Sequence, residues 1–506
     1  MRLIPFLIGV AVLAAFAYLA QSHPFGTYGT ETDFYLYYAP DAARLAQGEF
    51  PQSTYHGPGY ALLLAGVGAL TGILFVAAKW ISVVAATAVV LLTFLLFSRL
   101  FSYWEGIGAA LLVAVIGRLP QYAISATTDV VFLAFSLAAL VVLVSRREAA
   151  PRIAASAAFA AFAYLTRYNA LSLIVAILIA IVILDLFDRP LRTRLLLAGA
   201  FLLVFITVTS PWLIANARHR GSPFFNTNYL NIGKTLHPDV AAGYSGDDGL
   251  LRASRVFHSL GDVIARDPAQ AASQYAKNLL MHIRGSFSPA VAGPVVPWLG
   301  LLGVAIALAR TRTKPLLLLL TAAVLHYLIV GLVHWEARFH FFIAVLLSGF
   351  AAHVLFAIFE ALRERKLLGR DLARVAAVLA FAAVWLLTLA GAIPYVRRML
   401  ATHPTEVLAA CDSIERQGLR GARITARKPH LPYLCRMDWV LFPQVTSLGE
   451  LQQALDANRI DLVFFAAPEA ASRRALAPLL DPRRAPAWLQ PIWASNDPPA
   501  VLYRVR

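Results

Sequence analysis

Charge is scarce in this chain. Only 14% of its 506 residues are Asp, Glu, Lys or Arg, against about 25% in a soluble domain. Hydrophobic residues make up 59%, and mean hydropathy is +0.66. That shortage excludes an ordinary soluble protein and reads as a polytopic membrane protein with some soluble mass attached. Carboxylates are scarcer still: 28 Asp and Glu face 44 Lys and Arg, for a formal net charge of +16. In a membrane protein such an excess belongs first to cytoplasmic loops, and second to anionic lipid or phosphate partners. No soluble basic domain with interleaved aromatics is present, which excludes nucleic acid as a partner. Cysteine is almost absent. Cys411 and Cys435 both fall in the tail, and no Cys/His spacing fits a metal site. There is no internal repeat and no low-complexity tract.

What is abundant is apolar sequence in runs. A spanning helix needs roughly 20 mostly apolar residues. Candidates lie at 3–20, 73–97, 105–120, 128–145, 152–166, 169–187, 195–215, 293–309, 315–333, 341–361 and 375–393. The first is long for a signal-peptide core and lacks an A-x-A-like cleavage site, so it reads as an uncleaved span with the N-terminus in the cytoplasm. The segment 58–72 is apolar too, but Pro58-Gly59 and Thr71-Gly72 frame it. It reads as an interfacial or re-entrant segment. With it left out of the count, Arg99, Arg146-Arg147, Arg189/Arg192/Arg194, Arg310/Arg312/Lys314 and Arg363/Arg365/Lys366/Arg370/Arg374 all fall inside, as the positive-inside rule requires. Counted in, it would put every one of these clusters outside.

The expected architecture is therefore an α-helical polytopic membrane protein of about eleven spans, with a membrane module over 1–395 and a small extracytoplasmic α/β domain over 396–506. The external face collects 21–57, 121–129, 167–169, 216–292, 334–340 and the tail. In 216–292, "SPFFNTNYLNIGKT" and "HPDVAAGYSGDDG" read as ordered loop and "SLGDVIARDPAQAASQYAKNLLMHI" as helix. In the tail, "GARITARK" and "IDLVFFAAP" read as strands, and "SLGELQQALDANR" and "EAASRRALAPLL" as helices. Outside the membrane the two cysteines read either as a disulfide or as two buried thiols.

The unusual polar residues gather on that external face. "TETDFYLYY" places Glu31 and Asp33 just after the first span. Leu36, Ala39, Ala43 and Ala46 then recur at helical spacing until Gly48, the pattern of an amphipathic helix on the membrane surface. Asp33 is either its N-cap or a carboxylate held at the membrane edge as a general base. "TYHGPGY" carries His56 in a rigid lead-in, either a plain loop residue or one that touches an anionic group. "SATTDVVF" puts Asp129 at the outer end of a span. Ionisable residues there are functional candidates, and N-capping by Thr127, Thr128 or Asp129 is the alternative. "YLTRYNAL" holds Arg167 in a tight turn, as a headgroup anchor or a phosphate clamp. "VHWEARFHFF" is the densest cluster: His334, Glu336, Arg338 and His340. Its spacing fits no standard metal site.

These stretches resemble the C-type integral-membrane glycosyltransferases, in particular the branch related to protein O-mannosyltransferases and lipid A aminoarabinose transferases. The resemblance rests on "ETDFYLYYAPDAARLAQGEFP", "YHGPGYALLLAG", "ISATTDVVFLAF" and "HWEARFHFFIAVLL", and covers roughly 1–395. It implies a sugar carried on a polyprenyl phosphate in the plasma membrane and transferred on the non-cytoplasmic face. It maps the catalytic carboxylate to Asp33 and a second acidic position to Asp129. It maps the cations for the lipid phosphate to Arg338 and, less closely, Arg167. The expected acceptor is a lipid, a glycan or a protein. Two departures stand out: Gly57 replaces the Lys of the aminoarabinose branch's His-Lys-Pro-Pro motif, and Phe34 stands where many relatives have Glu after Asp33. Some members need a divalent metal; no clear cage for one is visible here. The rival readings are a transporter or flippase of polyprenyl-linked glycans, a polymerase or ligase, or a scaffold built around the tail. Transporters usually show repeated halves and charges within spans; here polar residues lie mainly at span ends, and no repeat is present.

Overall fold

The computed structural model describes residues 3–145, 148–242, 247–310, 312–364 and 370–506. Arg146, Arg147, Arg365 and Lys366 of the basic clusters, and part of "GYSGDDG", lie outside the described residues. The chain divides into two compact units. One comprises Met1–His23, Asp41–Ala242 and Gly249–Arg398, the other Pro24–Pro40, Gly243–Asp248 and Met399–Arg506.

The first unit is helical. Among the described residues, five helices are long and apolar enough to cross a membrane: Leu3–Gln21, Leu74–Leu100, Leu191–Arg220, Ala337–Ala361 and Arg374–Arg416. The last range runs on into the second unit. Six shorter apolar helices accompany them. Length separates the two groups. At 1.5 Å per residue, the 13-residue helix Gly59–Thr71 is about 20 Å long, against a hydrocarbon core of roughly 30 Å. The apolar sequence at 105–120 is broken as well. It forms Tyr103–Ala114 and Leu119–Ala123 instead of one helix.

The break has a physical cause. Gly117 sits at φ +49, and a Cβ there would lie 2.4 Å from the Val291 carbonyl oxygen. Beside it, the Arg118 N–H donates to the Ala290 carbonyl at 2.8 Å. Gly117→Ala is expected to cost about 1–3 kcal/mol from backbone strain alone, read as a lowered melting temperature in detergent. Close approach recurs where Val296–Arg310 packs on Phe341–Glu364. A Cβ on Gly303 would meet the Phe350 carbonyl oxygen at 2.1 Å, so glycine lets these two backbones touch, as small residues do between membrane helices.

The segment 216–292 holds more helix than its composition suggests. "NYLNIGKT" forms the helix Tyr229–Leu236, and Asp247–Ser254 is helical too. Leu230, Leu236, Phe257, Val263 and Ala271 bury together there, so the loop has its own small core. The long helix expected next is two, Leu260–Arg266 and Pro268–Gly285. Pro268 cannot donate a backbone hydrogen bond and biases Asp267 away from helix.

The second unit contains a five-stranded sheet: β1 (Arg423–Ala426), β2 (Asp438–Leu441), β3 (Leu462–Ala466), β4 (Leu489–Asn496) and β5 (Pro499–Val505). Their order is β2-β1-β3-β5-β4. β1 runs parallel to β2 and β3, while β5 is antiparallel to β3 and β4. β3 is buried along its whole length, which explains its unbroken apolar run. "EAASRRALAPLL" divides into the helix Ala467–Ser472 and a 3₁₀ turn, Arg474–Leu480, that contains Pro478. Cys411 and Cys435 are bonded to each other.

The first loop belongs to this unit. Tyr28 Oη donates to Glu406 Oε1 at 2.7 Å, Lys428 Nζ to Thr32 Oγ1 at 3.3 Å, and the rings of Tyr35 and His430 lie 4.3 Å apart. Burial pushes the His430 imidazole down to about 3, with Lys428 adding and the Thr27 carbonyl opposing. In the unfolded chain a His titrates near 6.5. Between those values the unfolded state binds the proton, so stability is full above about pH 6.5 and falls as pH drops toward 3. His430→Gln keeps an N–H donor for the Thr27 carbonyl and does not titrate. Its melting temperature is expected to fall less steeply than wild type between about pH 7 and 4. Equal slopes would show that His430 does not drive the loss.

Candidate active site

In the first unit, three residues far apart in the chain meet at one end of the helix Asp129–Leu143. Arg167 follows the helix Ala149–Thr166 directly, in extended backbone. Its Nη1 donates to Asp129 Oδ1 at 2.6 Å and to Thr128 Oγ1 at 3.1 Å. Arg338, on the 3₁₀ turn Ala337–His340, places Nη1 3.7 Å from Asp129 Oδ2. Asp129 is 4% exposed. One buried carboxylate thus stands between two guanidiniums. The helix does not use it as a cap: the N-cap residue is Thr128, and no side chain bonds there.

Arg338 is also held from its other side. Its Nε lies 2.5 Å from Glu336 Oε2, and His334 Nε2 lies 3.0 Å from Glu336 Oε1. Burial works to raise the Glu336 carboxyl, but the His334 hydrogen bond and the Arg338 charge outweigh it and bring it down to about 2. Arg167 is less engaged. Among the described residues its contacts are Asp129 and Thr128 through Nη1, and the face of Phe339 at 5.6 Å. Nε and Nη2 keep their N–H groups, and the side chain is 18% exposed. Asp129, Arg167, Arg338, Asn169 and His326 line a small pocket closed by Phe132, Phe339 and Phe342. A guanidinium with N–H groups to spare can take up phosphate oxygens.

His56 feels the same site. Burial lowers its imidazole to about 3, and Arg167 and Arg338 push in the same direction against Asp129. It is a neutral imidazole at physiological pH, so it can offer a hydrogen bond to an anion but no charge. His340 is fully buried in a different network. Its Nε2 meets His282 Nδ1 at 2.9 Å and its Nδ1 meets Ser286 Oγ at 3.2 Å, while Tyr327 donates to Ser286 at 2.8 Å. It therefore ties the helix Pro268–Gly285 to the turn carrying Arg338. Among the described residues no group of three or more His, Cys, Asp or Glu is placed to hold a metal.

In the second unit, Asp33 precedes the π-helix Phe34–Tyr38. It has αR geometry and makes no side-chain cap bond, which removes the helix-cap explanation for it. Glu31 is fully buried, and its Oε2 accepts from the Thr27 N–H at 2.9 Å. Tyr35 Oη accepts from the Gly26 N–H at 2.8 Å. Glu31 and Tyr35 thus fix the turn before Asp33. No hydrogen bond or ion pair engages the Asp33 carboxylate among the described residues, and the residue is half-buried. A positioned carboxylate left unengaged is available to accept a proton.

Sequence reasoning passed over His326. It lies inside the apolar helix Lys314–Val330 and bonds the Phe339 carbonyl through Nε2 at 2.7 Å. An ionisable residue within an apolar run was the available signal.

Known proteins share part of this sequence and its fold. Residues 55–214 match the family model for dolichyl-phosphate-mannose-protein mannosyltransferases. A search of curated proteins returns no match. Among solved structures, the chain is similar to ArnT from Cupriavidus metallidurans bound to undecaprenyl phosphate. The TM-score is 0.62 and identity 13%, with 98% of this chain and 97% of that one covered. It is also similar to the oligosaccharyltransferase AglB from Archaeoglobus fulgidus in complex with an inhibitory peptide and a dolichol-phosphate. There the TM-score is 0.60 and identity 13%, with 93% and 72% covered. At such identities the likeness speaks for the fold. Part of the sequence is thus similar to a mannosyltransferase family, and the fold is similar to that of two membrane glycosyltransferases.

Proposed function

We infer that this chain moves a sugar from a polyprenyl-phosphate donor to an acceptor (lipid, glycan or protein) on the extracytoplasmic face. The observation that carries the reading is the Arg167–Asp129–Arg338 arrangement: two guanidiniums fixed by one buried carboxylate at a pocket, with the Arg167 Nε and Nη2 groups unpaired among the described residues. ArnT and AglB were solved with polyprenyl phosphates, which fits a lipid phosphate as the anion.

Asp33 takes the proton from the acceptor hydroxyl. The resulting oxygen attacks the anomeric carbon. The bond from that carbon to the phosphate oxygen breaks, and the lipid phosphate leaves with one more negative charge. Arg167 and Arg338 stabilise that charge, as fixed donors aimed at developing charge do. A single displacement inverts the anomeric centre. Asp129 is the second acidic position of the resemblance. Its burial between two arginines favours a role in orienting both guanidiniums. Eleven spans, a cytoplasmic N-terminus and an extracytoplasmic 396–506 belong to the same reading, because they keep the basic clusters inside.

The phosphate role is tested by lipid-dependent thermal stability of the purified protein. Undecaprenyl phosphate is expected to raise the melting temperature and undecaprenol to leave it unchanged. Equal effects of the two lipids would remove the phosphate from the account.

A further inference from the structure

A second concavity lies in the first unit, away from the arginine site. It is a groove of about 310 Å³ between the loop 222–228, the start of the helix Tyr229–Leu236 and residues 258–260. That volume falls at the lower end of ligand-sized pockets, roughly 300–1,000 Å³. Its chemistry is specific. Phe224, Phe225 and Tyr229 supply aromatic surface, and Asn226, Asn228 and His258 supply hydrogen-bonding groups. Among the described residues, no Asp, Glu, Lys or Arg lines it. Among the described residues, the Tyr229 hydroxyl and the His258 ring nitrogens have no hydrogen-bond partner. Phe224 is 66% exposed, so its ring is open to a ligand.

The groove wall is tied to the loop that carries His56. The Thr227 N–H donates to the Thr54 carbonyl at 3.0 Å. The two threonine hydroxyls meet at 2.7 Å, and Asn228 Nδ2 donates to the Tyr55 carbonyl at 2.8 Å. The next residue, His56, feels the charges of Arg167 and Arg338.

We propose that this groove is the acceptor subsite, and that its ligand is a neutral saccharide. Aromatic faces match the apolar C–H faces of a sugar ring, and amides and imidazole match its hydroxyls. An anionic headgroup would find no counter-charge here. The proposal rests on the transfer reading above and names its acceptor class.

The test uses full-length protein in a detergent without a sugar headgroup. Saturation-transfer NMR is recorded with maltotriose, cellotriose and mannotriose, and with a neutral Ser/Thr peptide. At least one trisaccharide is expected to give saturable transfer, weakened about tenfold or more by Phe224→Ala, as truncating a central aromatic contact does. Both Phe224 and His258 are exposed, so Phe224→Ala and His258→Ala are expected to fold; retained stabilisation by undecaprenyl phosphate checks this. No saturable trisaccharide signal, or a signal indifferent to both variants, overturns the proposal. A peptide signal lost in Phe224→Ala, with none from the sugars, also overturns it and gives the groove to a protein acceptor. Stabilisation by undecaprenyl phosphate without trisaccharide binding rejects the acceptor alone. Trisaccharide binding without stabilisation rejects the donor reading instead.

Discussion

Asp33→Asn is expected to reduce glycosyl transfer by about 10²–10⁴-fold, the usual contribution of a general base. The substitution keeps the side chain's shape and removes only its ability to accept a proton. The Asp33 carboxylate makes no cap bond, and Glu31 and Tyr35 hold the preceding turn without it. Folding is therefore expected to be unchanged, with the wild-type melting temperature and the wild-type response to undecaprenyl phosphate. The comparison that checks this is initial transfer rate against melting temperature for both proteins. Transfer at the wild-type rate would return Asp33 to a structural role.

Arg167→Ala is the second large effect. It removes the 2.6 Å partner of a buried carboxylate. The nearest remaining cation on Asp129 is Arg338 Nη1 at 3.7 Å. Breaking a buried pair in this way costs about 3–5 kcal/mol, so a lower melting temperature is expected alongside lost transfer. Arg167→Lys separates the two consequences. Lysine keeps a charge beside Asp129 but lacks the planar fork that binds two oxygens at once. Its stability is expected to lie near wild type. Its transfer rate is expected to stay down by about 10²–10³-fold, the cost of removing one donor to a developing anion. Measuring both quantities on both variants tells anion stabilisation from simple packing.

Hydropathy made most of the helices legible, because lipid-facing and core-facing residues are alike apolar and the run length carries the signal. It failed where a distant contact decides the backbone. Nothing near Gly117 announces that Val291 will lie against it, so the break at 105–120 could not be read. Tyr229–Leu236 was missed for another reason. Its Asn and Thr residues read as loop, while its apolar residues Leu230 and Leu236 make sense only once Phe257 and Val263 cover them. The tail strands β1 and β3 were visible as alternating or continuous apolar runs. β4 was not, since Pro491 interrupts it at a bulge.

The site was partly legible. Positive-inside reasoning put Asp129, Arg167 and Arg338 on one face, and the fold does bring them together. What no spacing could show is that Asp129 is already paired. Nor could it show that His340 bonds to His282 and Ser286. Partners 38 or more residues apart are set by packing. The grouping of the first loop with the tail is of the same kind. Tyr28 and Glu406 meet across 378 residues.

One measurement bears most directly on the account. Radiolabelled polyprenyl-phosphate sugars are offered to the purified protein in liposomes, with a cell-envelope extract as acceptor. The account requires label to move from at least one donor to the extract, with inverted configuration at the anomeric carbon. If a stable preparation neither transfers nor hydrolyses any donor across a broad panel, yet carries donor lipid across the bilayer, the glycosyl-transfer reading is wrong and the chain is a carrier of these lipids.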